Sequence, residues 1–148
     1  MKTIFYILVL SFLRQHDCKP TVKDMQSAEL VCLNELHFNH SDVPDISNFG
    51  VDAVDNANNR KMFACLFSKM GILDDEQKIS PEGFDNFVDI LVEAVNANEH
   101  AKKMISESLQ QCKDIEGRSG GEIGFKLRNC IKRAGAELRE KVKKSDSH

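Results

Sequence analysis

Ser80-Pro81-Glu82-Gly83-Phe84-Asp85-Asn86-Phe87-Val88-Asp89-Ile90-Leu91-Val92-Glu93-Ala94-Val95 is the stretch whose reading decides the fold class. Ser80 can accept from the orphan N–H groups of a first helical turn, and Pro81 fills the position that needs no donor. Phe84, Phe87, Val88, Leu91, Val92 and Val95 then recur at i, i+3, i+4, i+7, i+8 and i+11. That spacing gathers them on one wide apolar face of a helix. The same period extends in both directions, and no run alternates with period two as a half-buried strand would.

Downstream, Asn98 is a candidate cap for a helix carrying Ala101, Met104, Ile105, Leu109 and Cys112 on one side. After the Gly117 to Gly121 turn, a last helix aligns Ile123, Leu127, Cys130, Ile131 and Ala134, and Gly135 is expected to weaken or end it. The charged tail from Arg139 to His148, with Arg139, Lys141, Lys143 and Lys144, is expected to be solvated. Upstream, a helix over Asn58 to Met70 stops at Gly71, where glycine tolerates the left-handed cap. Before it come a short helix near Pro44 to Phe49 and a first helix over Thr21 to His37, with Met25, Ala28, Cys32 and Leu36 along one side. The expectation is an all-α domain, a compact bundle of about six helices.

The chain start is of a different kind. Met1-Lys2 is followed by the apolar run Thr3 to Leu13, too short for a bilayer core that takes roughly 20 apolar residues, but suited to a secretion signal. Residues 1–18 are therefore assigned to a signal peptide and 19–148 to the helical domain. The mature chain would keep 18 basic and 22 acidic residues, a net charge of −4, and would lose Tyr6, the only Tyr in a sequence without Trp. So balanced a charge gives nucleic acid no basic face to bind. No stable membrane insertion is expected either.

Four of the five Cys remain after residue 18: Cys32, Cys65, Cys112 and Cys130. An even number behind a secretion signal points to two disulfides, with three pairings open. No C-x-x-C or Cys-His cluster occurs at metal-binding spacing, so neither metal nor cofactor is expected. Phosphate loops, H-E-x-x-H and G-x-S-x-G are absent, and the five His are dispersed. Nothing nominates an enzyme. Asn39-His40-Ser41 is an N-glycosylation sequon in an expected surface loop.

The segment Lys61-Met62-Phe63-Ala64-Cys65-Leu66-Phe67-Ser68-Lys69-Met70-Gly71-Ile72-Leu73-Asp74-Asp75 resembles the third-helix region of insect odorant-binding proteins. That family has a Cys four positions before the one matched by Cys65, where this chain has Lys61. It also has a Cys matched here by Gly121, in the otherwise fitting stretch Gly121-Glu122-Ile123-Gly124-Phe125-Lys126-Leu127-Arg128-Asn129-Cys130. Six-cysteine members join those two positions, so the double replacement removes one whole bridge and resembles the four-cysteine, minus-C subgroup. The resemblance spans residues 22 to 135 and implies pairings Cys32 with Cys65 and Cys112 with Cys130. It further implies a secreted, extracellular carrier that encloses a small hydrophobic ligand, an odorant, pheromone or lipid-like molecule, in an apolar cavity.

Candidate ligand-lining residues are Phe84, Phe87, Val88 and Leu91 from the strongest amphipathic helix and Met62, Leu66 and Met70 from the Cys65 helix. Met104, Phe125 and Leu127 complete the set. Apolar walls with few polar groups suit such a pocket, and Met adapts to varied ligand shapes. Two rival readings use the same bundle. One is a solid interaction protein that binds a receptor or another protein through an exposed face. The other is a scavenger of polar ligands such as biogenic amines, for which Glu35 and Asp85 are the candidate acids.

Overall fold

Each helix begins where the sequence supplies an oxygen for backbone N–H groups that have no partner inside the helix. In the computed structural model, which describes residues 21–44, 51–94 and 98–145, Thr21 caps α1 (Val22–Glu35) in a reciprocal box with Asp24. Asn56 Oδ1 accepts from Asn59 N at 2.8 Å to open α2 (Ala57–Lys69). Ser80 Oγ accepts from Gly83 N at 3.1 Å and Pro81 is the first residue of α3 (Pro81–Ala94). Asn98 Oδ1 accepts from Ala101 N at 2.9 Å to start α4 (Glu99–Gln110), and Ser119 Oγ from Glu122 N at 3.2 Å to start α5 (Gly120–Ser145).

These five helices, with a 3-10 turn over His40–Asp42, account for the regular structure of the described residues. No strand occurs among them, only a single bridge between Leu73 and Ile79. The sixth helix expected near Pro44 to Phe49 falls almost wholly outside the described residues, as do residues 1–18.

Glycine does its work at the end of α2. Gly71 takes a φ of 73°, its N–H donates to Ser68 O, and Ile72 N donates to Phe67 O at 2.9 Å, which closes the helix with a Schellman turn. Gly83 then lets α3 pass over that turn, because a Cβ there would lie 1.8 Å from Gly71 O.

The long α5 corrects one expectation. Gly135 does not end it, and the helix runs to Ser145. A mid-helix glycine costs only about 1 kcal/mol relative to Ala. Against that, Leu138 carries the apolar stripe of Leu127, Ile131 and Ala134 one turn further, so continuation wins.

The core gathers Met62, Phe63 and Phe67 from α2, Phe84, Phe87 and Val88 from α3, Leu109 from α4 and Ile123, Leu127 and Ala134 from α5. Burying each large apolar side chain contributes about 1.5 to 3 kcal/mol. Two disulfides, Cys32–Cys65 and Cys112–Cys130, tie α1 to α2 and the end of α4 to α5. Closing loops of 33 and 18 residues in the unfolded chain gives roughly 3 to 4 kcal/mol each on the chain-entropy account.

No bridge joins α2 to α5. They meet through glycine instead. A Cβ at Gly124 would stand 3.0 Å from Phe63 C and 3.1 Å from Ala64 N, and one at Gly121 would stand 3.1 Å from Arg60 Cβ. Lys61 itself is exposed.

Candidate functional site

The apolar faces of α2, α3 and α5 do not close completely on one another. Between them lies a recess of about 70 Å³ whose walls are Met25 from α1, Phe63, Leu66, Phe67 and Met70 from α2, Phe87 and Leu91 from α3, and Arg128 and Ile131 from α5. Leu91 and Ile131 have a second side. They also line an open groove of about 330 Å³ between α3, α4 and α5, together with Ile105, Ser108, Leu109, Ala134, Gly135, Leu138 and Arg139. Recess and groove thus share two residues as a partition, and both are lined mostly by hydrocarbon.

Ligand pockets usually run from about 300 to 1,000 Å³. The groove reaches that range; the recess alone does not, being smaller than the ~150 Å³ void that admits benzene. Neither space is an enclosed chamber of ligand size.

Of the sequence-predicted lining residues, the recess brings together Leu66, Met70, Phe87 and Leu91. Met62, Phe84, Val88 and Leu127 are buried in the packed core and line neither space. Phe125 is half-buried against that core. Met104 lines a separate cleft of about 280 Å³ with Glu107, Ser108, Gln111 and Glu137, which adjoins the groove through Ser108.

Sequence reasoning left out Phe63, Phe67, Ile131 and Leu138, although their i, i+4 and i, i+7 spacings carry the signal. Arg128 gave no such signal. It is only 1% exposed, and its Nη1 donates to Val51 O at 2.6 Å and to Asn129 Oδ1 at 3.1 Å. Asn129 Oδ1 also accepts from Ala53 N at 2.9 Å, so this pair pins the 51–54 segment to α5.

The acids that an amine pocket would need are elsewhere. Lys69 Nζ donates to Glu35 Oε1 at 2.8 Å on the surface, with half of the Glu35 side chain exposed. Lys113 Nζ donates to both Asp85 oxygens, at 2.9 and 2.8 Å, and with burial opposing and Gln110 assisting, this hydrogen bond holds the Asp85 carboxyl below its ordinary range. Neither acid lines the recess or the groove. A larger cleft of about 440 Å³ between the 78–81 and 113–117 segments has an Ile79, Ile115 and Ile123 floor, but its rim carries Lys78, Lys113, Asp114 and Glu116. So charged a rim makes it the weaker candidate for an apolar ligand.

Among the described residues, no three His, Cys, Asp or Glu side chains gather in a way that could hold a metal ion, and no helix is long and apolar enough to cross a membrane.

The model of the PBP/GOBP family matches residues 15–134. The chain belongs to the PBP/GOBP family. Its fold is shared by a solved structure, the odorant-binding protein dmelOBP28a from Drosophila melanogaster, with a TM-score of 0.63. That likeness covers 78% of this chain and 93% of that one at 15% sequence identity. No curated protein matches this PBP/GOBP chain in sequence. In the PBP/GOBP frame, the groove uses the same three helices, α3, α4 and α5, that carry the strongest amphipathic patterns of the sequence, whereas the recess is walled mainly by α2.

Proposed function

We propose that this PBP/GOBP chain is a secreted carrier of small hydrophobic ligands, not an enzyme, and that ligand enters by the α3–α4–α5 groove. The observation that carries this reading is the shared partition. Leu91 and Ile131 line both an open apolar groove and an apolar recess, and on this proposal movement of their side chains joins the two. Membership of the family and the fold shared with a Drosophila odorant-binding protein support the same reading. The apolar run Thr3 to Leu13 and the two disulfides support secretion.

On this reading the protein is of the four-cysteine, minus-C kind. Lys61 and Gly121 stand for the missing bridge, Cys18 is removed with the signal, and the exposed Asn39 is available for glycosylation. Of the ligand contacts expected from the sequence, Leu66, Met70, Phe87 and Leu91, which line the recess, are the ones retained in this proposal.

Displacement of a neutral apolar fluorescent dye tests the function. Binding of the dye at micromolar concentration, and its release by long-chain alcohols or esters, are expected. The mature chain has neither Tyr nor Trp, so the protein adds almost no background emission.

The small recess favours a second reading, in which the bundle is effectively solid and an exposed face binds another protein. Leu30 and Val54, more than half exposed, would belong to such a face. Failure of every apolar compound to displace or replace the dye would favour it.

A further inference from the structure

The charged groups along the apolar path are of one sign. Among the described residues, Arg128 lines the recess and Arg139 lines the groove, while no Asp or Glu lines either. The two arginines sit on the same helix eleven residues apart, so at 1.5 Å per residue they are separated by about 16 Å along α5. Ser108 contributes the remaining polar side chain of the groove. Arg128 is buried and committed to the 51–54 segment, whereas Arg139 is exposed and its Nε donates to Gly135 O at a long 3.3 Å.

We infer that the groove selects apolar chains ending in an anionic, hydrogen-bond-accepting head, of which a fatty carboxylate is the simplest, with the head at Arg139 and the tail running past Leu91 and Ile131. This rests on the carrier reading above and adds the chemical class of the ligand. A carboxylate at Arg139 stays partly hydrated and so avoids the cost of burying a charge, while the guanidinium fork offers it paired donors. The tail meets hydrocarbon over the rest of the path. Scaling from the ~150 Å³ void that takes a six-carbon ring, a groove of about 330 Å³ suits a chain of about a dozen carbons. The opposing feature is the neighbouring cleft, where Glu107 and Glu137 would attract an ammonium head. It lies beyond Ser108, outside the apolar lining, which is why the carboxylate is the better match.

Displacement of the neutral dye by dodecanoate, dodecylamine and dodecanol separates these cases, with all three tested at neutral pH and low salt on the mature chain and on Arg139→Glu. In the wild type, dodecanoate should act at about fivefold lower concentration than dodecylamine, the upper end of what an exposed ion pair supplies. The ratio should fall to one or reverse in Arg139→Glu and should shrink at high salt in the wild type, as screened charges require. Because the ratio is read within each variant, a general loss of affinity leaves it interpretable. Dodecanol displacing the dye while dodecylamine equals or exceeds dodecanoate would overturn the inference and leave the carrier standing. A carboxylate preference undiminished in Arg139→Glu would overturn the placement at Arg139. No displacement by any of the three would overturn the carrier reading itself.

Discussion

Phe87 is packed on one side and unsupported on the other. Its ring lies 6.3 Å from that of Phe84, and its far side forms part of the recess wall. A Phe held by dense packing all round costs about 3 to 5 kcal/mol when cut back to Ala. Because part of its surface already faces a void, Phe87→Ala should cost less than that range in the ligand-free protein, and should weaken binding of a long-chain apolar ligand several-fold. Chemical denaturation and dye titration measure the two effects. A loss in the full range with unchanged affinity would place Phe87 in solid core.

At the element scale, α5 contains its own control experiment. A Cβ at Gly124 would stand 3.0 to 3.1 Å from the α2 backbone, whereas a Cβ at Gly135 would meet nothing within 4 Å. Alanine improves helix propensity by about 1 kcal/mol at either position. Gly135→Ala should therefore raise the melting temperature, while Gly124→Ala should lower it by forcing α5 away from Phe63 and Ala64. Equal shifts of the same sign would mean that α2 and α5 do not touch as described.

The start of α5 also predicts a pH dependence. Glu122 accepts from Lys126 at 2.7 Å and from Arg118 N at 3.2 Å, and these contacts, the Lys126 hydrogen bond first, bring its carboxyl from the ordinary 4.5 down to about 2. A depressed carboxylate stabilises the fold above its unfolded value and loses that contribution as pH falls through the folded one. The stability advantage of wild type over Glu122→Gln should thus be constant above about pH 5 and vanish toward pH 2 in thermal melts. A difference that persists at pH 2 would mean the contact is not ionic.

How far these elements are legible in the sequence depends on the kind of information. The face from Phe84 to Val92, the Ser80-Pro81 and Asn98 starts and the Gly71 stop are local, and α3, α4 and the end of α2 follow from them. Periodicity places Leu91 and Ile131 on inward faces, but it is silent on whether the facing side chains fill the space between them. For that reason Met62 and Leu127, equally apolar and equally spaced, lie in packed core while Leu91 borders both spaces. Arg128 is illegible for another reason. A charge on a helix ordinarily means a solvated face, and only the return of the 51–54 segment over α5 turns it inward.

For the whole molecule, two disulfides close the α1–α2 and α4–α5 pairs, and helix packing together with the Arg128 and Asn129 hydrogen bonds to the 51–54 segment holds the one pair to the other. With residues 1–18 removed as proposed, the natural secreted chain, unreduced and denatured, should show no reaction with a thiol reagent, and one thiol per chain would mean that Cys18 is retained. On the carrier proposal, ligand occupies the space between α3, α4 and α5. Isotope-filtered nuclear Overhauser spectra on methyl-labelled protein with unlabelled dodecanol report directly which side chains the ligand touches. Cross-peaks to the methyl groups of Leu91, Ile105 and Ile131 are expected. Cross-peaks confined to Ile79, Ile115 and Ile123, in the charged cleft between the 78–81 and 113–117 segments, would contradict it.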